Sequence, residues 1–81
     1  MKSVITAVVN RLLYYMGERN LTQYRLAQLS GLPFATVKSI MQRRANGVGL
    51  KTLIMLAHGL DMTVSEFLDD PSFSYDSIGE E

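Results

Sequence analysis

Cysteine is absent from this 81-residue chain. That removes disulfides and thiolate metal sites together, and it suits a reducing, cytoplasmic setting. Only one histidine, His58, is present, and no carboxylates cluster within the apolar segments. An enzyme would have no acid–base pair to work with, and a metal would find no second ligand beside that histidine. No apolar run approaches the roughly 20 residues that span a bilayer. The first residues carry one positive charge, but the apolar stretch behind them is broken by Asn10 and Arg11 and leads to no cleavage site. No signal peptide is expected. Strand-like alternation and internal repeats are missing as well. What is present is enough for one core: 47% of the residues are hydrophobic, more than a disordered chain carries.

Net charge is also missing, since eight basic residues balance eight acidic ones. The total conceals a segregation. From Arg19 to Leu60 the chain has six bases (Arg19, Arg25, Lys38, Arg43, Arg44, Lys51) and no acid, whereas from Asp69 to Glu81 it has five acids and no base. A basic middle with an acidic tail is a stronger statement about partners than an isoelectric point.

Ile5, Val8, Val9, Leu12, Leu13 and Met16 recur at helical spacing and predict a first helix to about Arg19, with Asn20 suited to a left-handed end. Thr22 is an N-cap hydroxyl for a second helix, Gln23 through Ser30, whose apolar positions are Leu26, Ala27 and Leu29. Ser30-Gly31-Leu32-Pro33 then breaks the chain sharply, glycine supplying a positive φ and proline allowing a new helix at once. The third helix runs from about Phe34 to Gln42 or beyond, with Val37, Ile40 and Met41 inward. After a glycine-containing loop over 45–49, Leu53, Leu56, Ala57 and Leu60 mark a fourth helix from Leu50 to Leu60. Thr63 and Glu66 have the spacing of a capping box ahead of Phe67 and Leu68, and Pro71 ends that fifth helix. The expected division is a domain over 1–68 and an acidic, flexible tail over 69–81, loose from Ser72 onward.

Gln23 to Arg44 is the informative stretch. Two helices joined by a tight glycine turn meet at a steep angle only if a small residue sits at their contact. Ala27, four before Gly31, is that residue, and Leu26, Leu32, Val37 and Ile40 close the angle. This is a helix-turn-helix, whose second helix enters the major groove. Leu21-Thr22-Gln23, Leu26-Ala27, Leu29-Ser30-Gly31-Leu32-Pro33, Thr36-Val37 and Leu50-Lys51-Thr52-Leu53 stand in the order found in a known family. Leu56-Ala57, Leu60 and Thr63 to Leu68 extend the match. The chain resembles the phage repressor/Cro-type, or xenobiotic-response-element-type, helix-turn-helix proteins over about residues 5 to 68. The resemblance implies an all-α, five-helix repressor-like domain that binds double-stranded DNA. A domain this small makes few base contacts alone, so a homodimer on a palindromic operator is expected.

In that family a glutamine opening helix two commonly holds a phosphate. Gln23 stands there, next to Thr22 and the helix's first amides. With Val37 at the buried centre of helix three, steps of about 100° put Ala35, Ser39 and Gln42 on the opposite face, flanked by Thr36, Lys38 and Arg43. Gln42 can pair bidentately with adenine and Lys38 can reach guanine. Ala35 can lie against thymine methyls, whereas Phe34 either does the same or packs on helix two. Arg43, Arg44 and Lys51 are expected on phosphates. Where the family often has Asn-Gly at the end of helix three, this chain has Gln42-Arg43, so the left-handed end is expected to be missing, with a longer helix or a more mobile loop. Short Ala35 and Ser39 leave base readout sparse and shift weight to DNA shape. The methionines are expected as core filler, Tyr14, Tyr15 and Tyr24 at the core edge or a subunit contact, and Ile5, Val8, Val64, Phe67 and Leu68 as a surplus that pairs two copies at helix five. No cofactor, metal or membrane is expected. The rival expectation is a protein-binding adaptor on the same fold, an antitoxin for example, that uses helix five or the tail.

Overall fold

The computed structural model describes residues 3–78, Ile78 by its backbone only; Met1, Lys2 and the tail acids Glu80 and Glu81 lie outside the described residues. Helix α1 spans Val4–Arg19, α2 Gln23–Ser30, α3 Phe34–Met41, α4 Leu50–Gly59 and α5 Val64–Leu68. A 3-10 turn at Pro71–Phe73 and a last short helix, α6 at Tyr75–Ile78, follow. The fold is all-α, with the helix-turn-helix at α2 and α3 and one helical turn more than the five elements expected.

Of the first five helices, three begin on a side-chain cap. Ser3 Oγ accepts the Thr6 amide at 3.2 Å and Thr22 Oγ1 the Arg25 amide at 3.1 Å. Thr63 and Glu66 form the full capping box: the Glu66 amide donates to Thr63 Oγ1 at 3.1 Å and the Thr63 amide to the Glu66 carboxylate at 2.8 Å. The bond from the Thr63 backbone, aided by its hydroxyl, holds the Glu66 carboxyl below its ordinary pKa. By contrast α3 and α4 begin at Pro33 and Gly49 with no side-chain cap.

The first four helices all end alike, on a left-handed residue: Asn20 (φ 54), Gly31 (φ 72), Arg43 (φ 57) and Asp61 (φ 60). In each case that residue's amide and the next one bond back to the last turn, the pair of bonds that closes a helix end. The missing cap expected for helix three is therefore corrected. Arg43 itself takes the left-handed conformation, its amide bonding Ile40 O at 2.9 Å while the Arg44 amide bonds Ser39 O at 3.1 Å. These bonds satisfy carbonyls that would otherwise be orphaned, and α3 stops at Met41 instead of running on.

One cluster forms the core: Ile5, Val8, Val9, Leu12 and Met16 from α1, Leu26 and Ala27 from α2, Val37, Ile40 and Met41 from α3, then Leu53, Leu56, Ala57, Leu60 and Phe67. Two expected core positions are corrected. Leu13 and Leu29 are exposed, and Ala7 and Ser30 are buried in their helices instead. The reason at α2 is its crossing with α4. A Cβ placed on Gly59 would meet Ser30 Oγ and stand 3.0 Å from the Ser30 backbone nitrogen, so the two helices touch backbone to side chain there. Ser30 faces α4 through its small side chain and Leu29 is turned outward.

The helix-five surplus is corrected too. Ile5, Val8 and Phe67 are buried within the single chain, and Val64 and Leu68 pack half-buried against the same core. Within the described residues the start of the tail continues as the Pro71–Phe73 turn and α6. Phe73 packs on the core, with its ring 6.2 Å from that of Phe67. Arg11 ties the segment down from α1, donating from Nε to Phe67 O at 2.7 Å and from one terminal nitrogen to Glu66 O at 3.0 Å and Asp69 O at 3.1 Å. A guanidinium on the carbonyls at the end of α5 satisfies acceptors there that have no full set of intrahelical partners. No described helix is long and apolar enough to cross a membrane.

Candidate nucleic-acid interface

Helix α3 owes its placement to three buried side chains. Val37, Ile40 and Met41 sink into the core, α2 packs against both α3 and α4, and Gly31 turns the chain between the first two. A Cβ on Gly31 would only touch Met55 at an ordinary 3.7 Å, so the need for glycine there is conformational, set by φ 72, and not steric crowding. What the core leaves outward on α3 is the face the sequence predicted. Phe34, Ala35 and Lys38 are exposed, and Thr36 and Ser39 are half-buried. Gln42 lies one residue past the helix yet still on its course, with its amide bonding Lys38 O at 3.0 Å, and its side chain is exposed.

At the start of α2, Thr22 is exposed and Gln23 half-buried. The Thr22 oxygen already accepts the Arg25 amide, so Thr22 offers a partner its hydroxyl proton, and the amides of Gln23 and Tyr24 precede the first intrahelical bond. Arg43 and Arg44 are exposed at the end of α3, and Lys51 is exposed in the uncapped first turn of α4. That turn couples a cation to free amides, the arrangement that suits a phosphate. All eleven predicted residues are thus accessible, and none is consumed by the core.

Electrostatics sharpen the contrast between the two sides of the molecule. Among the described residues the ion pairs join Arg11 to Asp70 at 3.8 Å and Arg19 to Glu18 at 3.9 Å. Lys38, Arg43, Arg44 and Lys51 have no acidic partner among the described residues, and Arg25 reaches only the neutral Gln28, at 3.2 Å. Acids Asp61, Glu66, Asp69 and Asp70 instead gather with Arg11 and Arg19 along a groove beside α1. Unpaired cations on the helix-turn-helix side and paired ones on the other give the surface a direction that net charge conceals.

Comparison with known proteins agrees with this geometry. The Cro/C1-type HTH DNA-binding domain matches over residues 11–72, most of the chain. The chain belongs to the Cro/C1-type helix-turn-helix family. Among solved structures it is similar to the prophage Lp1 protein 11, at 28% sequence identity and a TM-score of 0.79, over 91% of this chain and 97% of that one. No curated protein matches. Family membership makes the chain a DNA-binding regulator.

Two contributors to the architecture escaped the sequence reading. In the sequence Arg11 only interrupts an apolar stretch, and its reach of more than fifty residues to α5 has no local signal. Gly59 lies inside a regular helical pattern, where nothing marks a close crossing. A third feature was half-seen. Tyr24, expected at a core edge or a subunit contact, stands with its ring 5.9 Å from that of Phe34, at the junction of the first turns of α2 and α3.

Proposed function

We propose that this chain is a sequence-specific transcriptional repressor that binds as a homodimer to a palindromic or near-palindromic operator. The observation that carries the proposal is the coincidence of an open α3 face with cations lacking acidic partners at its margin and on α4. Lys38 and Gln42 meet base edges, Lys38 on guanine and Gln42 bidentately on adenine, with short Ala35 and Ser39 letting the helix sit close. Thr22, Gln23, Arg43, Arg44 and Lys51 hold phosphates, which fixes register without reading sequence. Thr36, half-buried between the two sets, adds a hydroxyl at the groove wall. Repression follows from occupancy alone, since no effector-binding unit is needed to block a promoter. The likeness to a prophage protein favours a phage-type setting.

Selecting bound sequences from a random DNA pool tests this directly. A palindromic consensus with salt-sensitive affinity is the expected result. Indifference to sequence, or retention on neither DNA nor heparin, overturns it, and the latter outcome favours the protein-binding adaptor.

A further inference from the structure

We propose that the Tyr24–Phe34 ring pair reads the C5-methyl group of a pyrimidine, thymine or 5-methylcytosine, in the major groove beneath the first turn of α3. The inference rests on the DNA-binding reading above and names what one part of that surface recognises.

Phe34 is 42% exposed and Tyr24 60% exposed, although both belong to regular helices with well-filled inner faces. Their rings lie 5.9 Å apart and tilted by 59°, the arrangement of an aromatic pair that each ring's partner holds in place. Neither ring is among the buried core residues. The pair therefore forms a small apolar platform at the surface. Around it the first turn of α3 shows Pro33 and Ala35, both exposed and neither able to hydrogen-bond through its side chain. Within α3 no side-chain donor or acceptor follows until Thr36 and Lys38, and the one polar atom of the ring pair is the Tyr24 hydroxyl at its edge.

Against the ring carbons, and against Phe34 above all, a base pair is distinguishable only by an apolar group. In the major groove thymine's C5-methyl is that group, and every other edge atom there is a donor, an acceptor or a bare C–H. Placing a methyl against the rings buries apolar area, whereas placing a cytosine N4 or guanine O6 there strips its water without replacement. A 5-methylcytosine carries the same methyl in the same place, so the platform responds to the methyl and not to the pairing pattern of the base. A purely apolar protein partner is less suited to this spot. Arg25 follows Tyr24 in α2 and Lys38 comes one helical turn after Phe34 in α3, and neither has an acidic partner among the described residues. The complement of an apolar spot on helices that also carry cations without acidic partners is a methyl between phosphates.

The test uses the full chain and the operator selected from a random pool. Each thymine is replaced in turn by deoxyuridine, which removes only the methyl, and affinity is measured for the unmodified protein, Phe34→Ala and Phe34→Leu. One thymine per half-site is expected to lose about fourfold on replacement, the size of one buried CH₂-sized group. Phe34→Ala should bind more weakly overall and be indifferent to deoxyuridine at that position, while Phe34→Leu keeps part of the sensitivity. At the same position 5-methylcytosine should bind better than cytosine. Salt-sensitive operator binding with no response to any deoxyuridine overturns the inference and leaves the DNA-binding reading intact. So does a Phe34→Ala protein that is weaker yet still responds to the methyl. If Phe34→Ala leaves DNA affinity unchanged and instead alters self-association in sedimentation, the platform faces protein. Failure of the unmodified chain to bind DNA overturns the underlying reading itself. Thermal melts followed by circular dichroism confirm that each variant is folded.

Discussion

Gln42, Arg43 and Arg44 are consecutive in sequence and differ in physical role. Gln42 still follows the course of α3 and presents an amide that can meet two atoms of an adenine edge. Gln42→Ala should therefore weaken operator binding by about 1–3 kcal/mol and relax preference at one base pair. Arg44→Ala should weaken operator and scrambled DNA alike and lower the log–log salt slope by about one. Isotherms at several salt concentrations separate the two, and equal weakening of both DNAs by Gln42→Ala would displace the reading face. Arg43 combines a charge with a backbone conformation, φ 57, that a Cβ disfavours by about 1–2 kcal/mol. Arg43→Gly should raise the melting temperature while weakening non-specific DNA binding, so stability and affinity move in opposite directions. A lower melting temperature would mean that the arginine side chain supports the fold. The identities on the α3 face were legible because Val37 fixed the helical phase and the rest is geometry. The left-handed Arg43 was not, because arginine has no preference for that conformation. Two helix-closing hydrogen bonds impose it, and they exist only once Ser39 and Ile40 are in place.

Elements here were legible where a boundary has a chemical signature and illegible where it depends on a distant neighbour. Thr22, Thr63 and Glu66 announce their helices in the sequence, because a cap needs a particular oxygen at a particular spacing. Glu66 gives this a pH dependence. Its folded-state pKa is depressed, so its capping contribution is complete above the ordinary glutamate range and is lost as pH falls through the lowered folded-state value. Glu66→Ala should lower the melting temperature near neutral pH, and the gap to the parent protein should close in acid; a gap independent of pH would show that the loss is packing alone. The α2–α4 crossing carries no such signature, since a glycine within a helical run reads only as a weak helix former. Gly59→Ala should destabilise by about 1–3 kcal/mol through overpacking against Ser30. Because the Ser30 backbone nitrogen and Cα, at 3.0 and 3.2 Å, belong to the obstacle, trimming the side chain cannot relieve it. Ser30→Ala alone should be neutral or stabilising by about 1 kcal/mol, as it removes a buried hydroxyl with no hydrogen-bond partner among the described residues. If Ser30→Ala rescues Gly59→Ala completely in a melting series, the crossing is less tight than described.

For the molecule as a whole, a charge total of zero resolves into two faces, and the apolar surface that remains shapes how two copies would meet. Helix α5 has no apolar surplus to offer a second copy, because the single chain buries Ile5, Val8 and Phe67 itself. Their destination was hidden in the sequence, since burial of α5 depends on Arg11 and Phe73 closing over it from opposite ends of the chain. The exposed apolar side chains on α4 are Leu50, 64% exposed, and Ile54, 48% exposed, one helical turn apart at the edge of the buried stripe of Leu53, Leu56 and Ala57. Two such residues from each copy make only the centre of a contact, well short of the roughly 1,200–2,000 Å² that a stable interface buries. Pairing in free solution should therefore be weak, and adjacent half-sites should supply the missing stability by raising the local concentration of the second copy. Sedimentation at micromolar concentration is expected to show a monomer, or a monomer in exchange with dimer, that becomes a dimer on operator DNA. Ile54→Ser, which leaves the charge near Lys51 unchanged, should keep affinity for an isolated half-site and lose cooperativity between two. Equal, independent occupancy of both half-sites by the parent protein would overturn two-fold pairing. Cooperativity that survives in Ile54→Ser would move the contact elsewhere, with exposed Leu13 and Tyr14 on α1 next to be substituted.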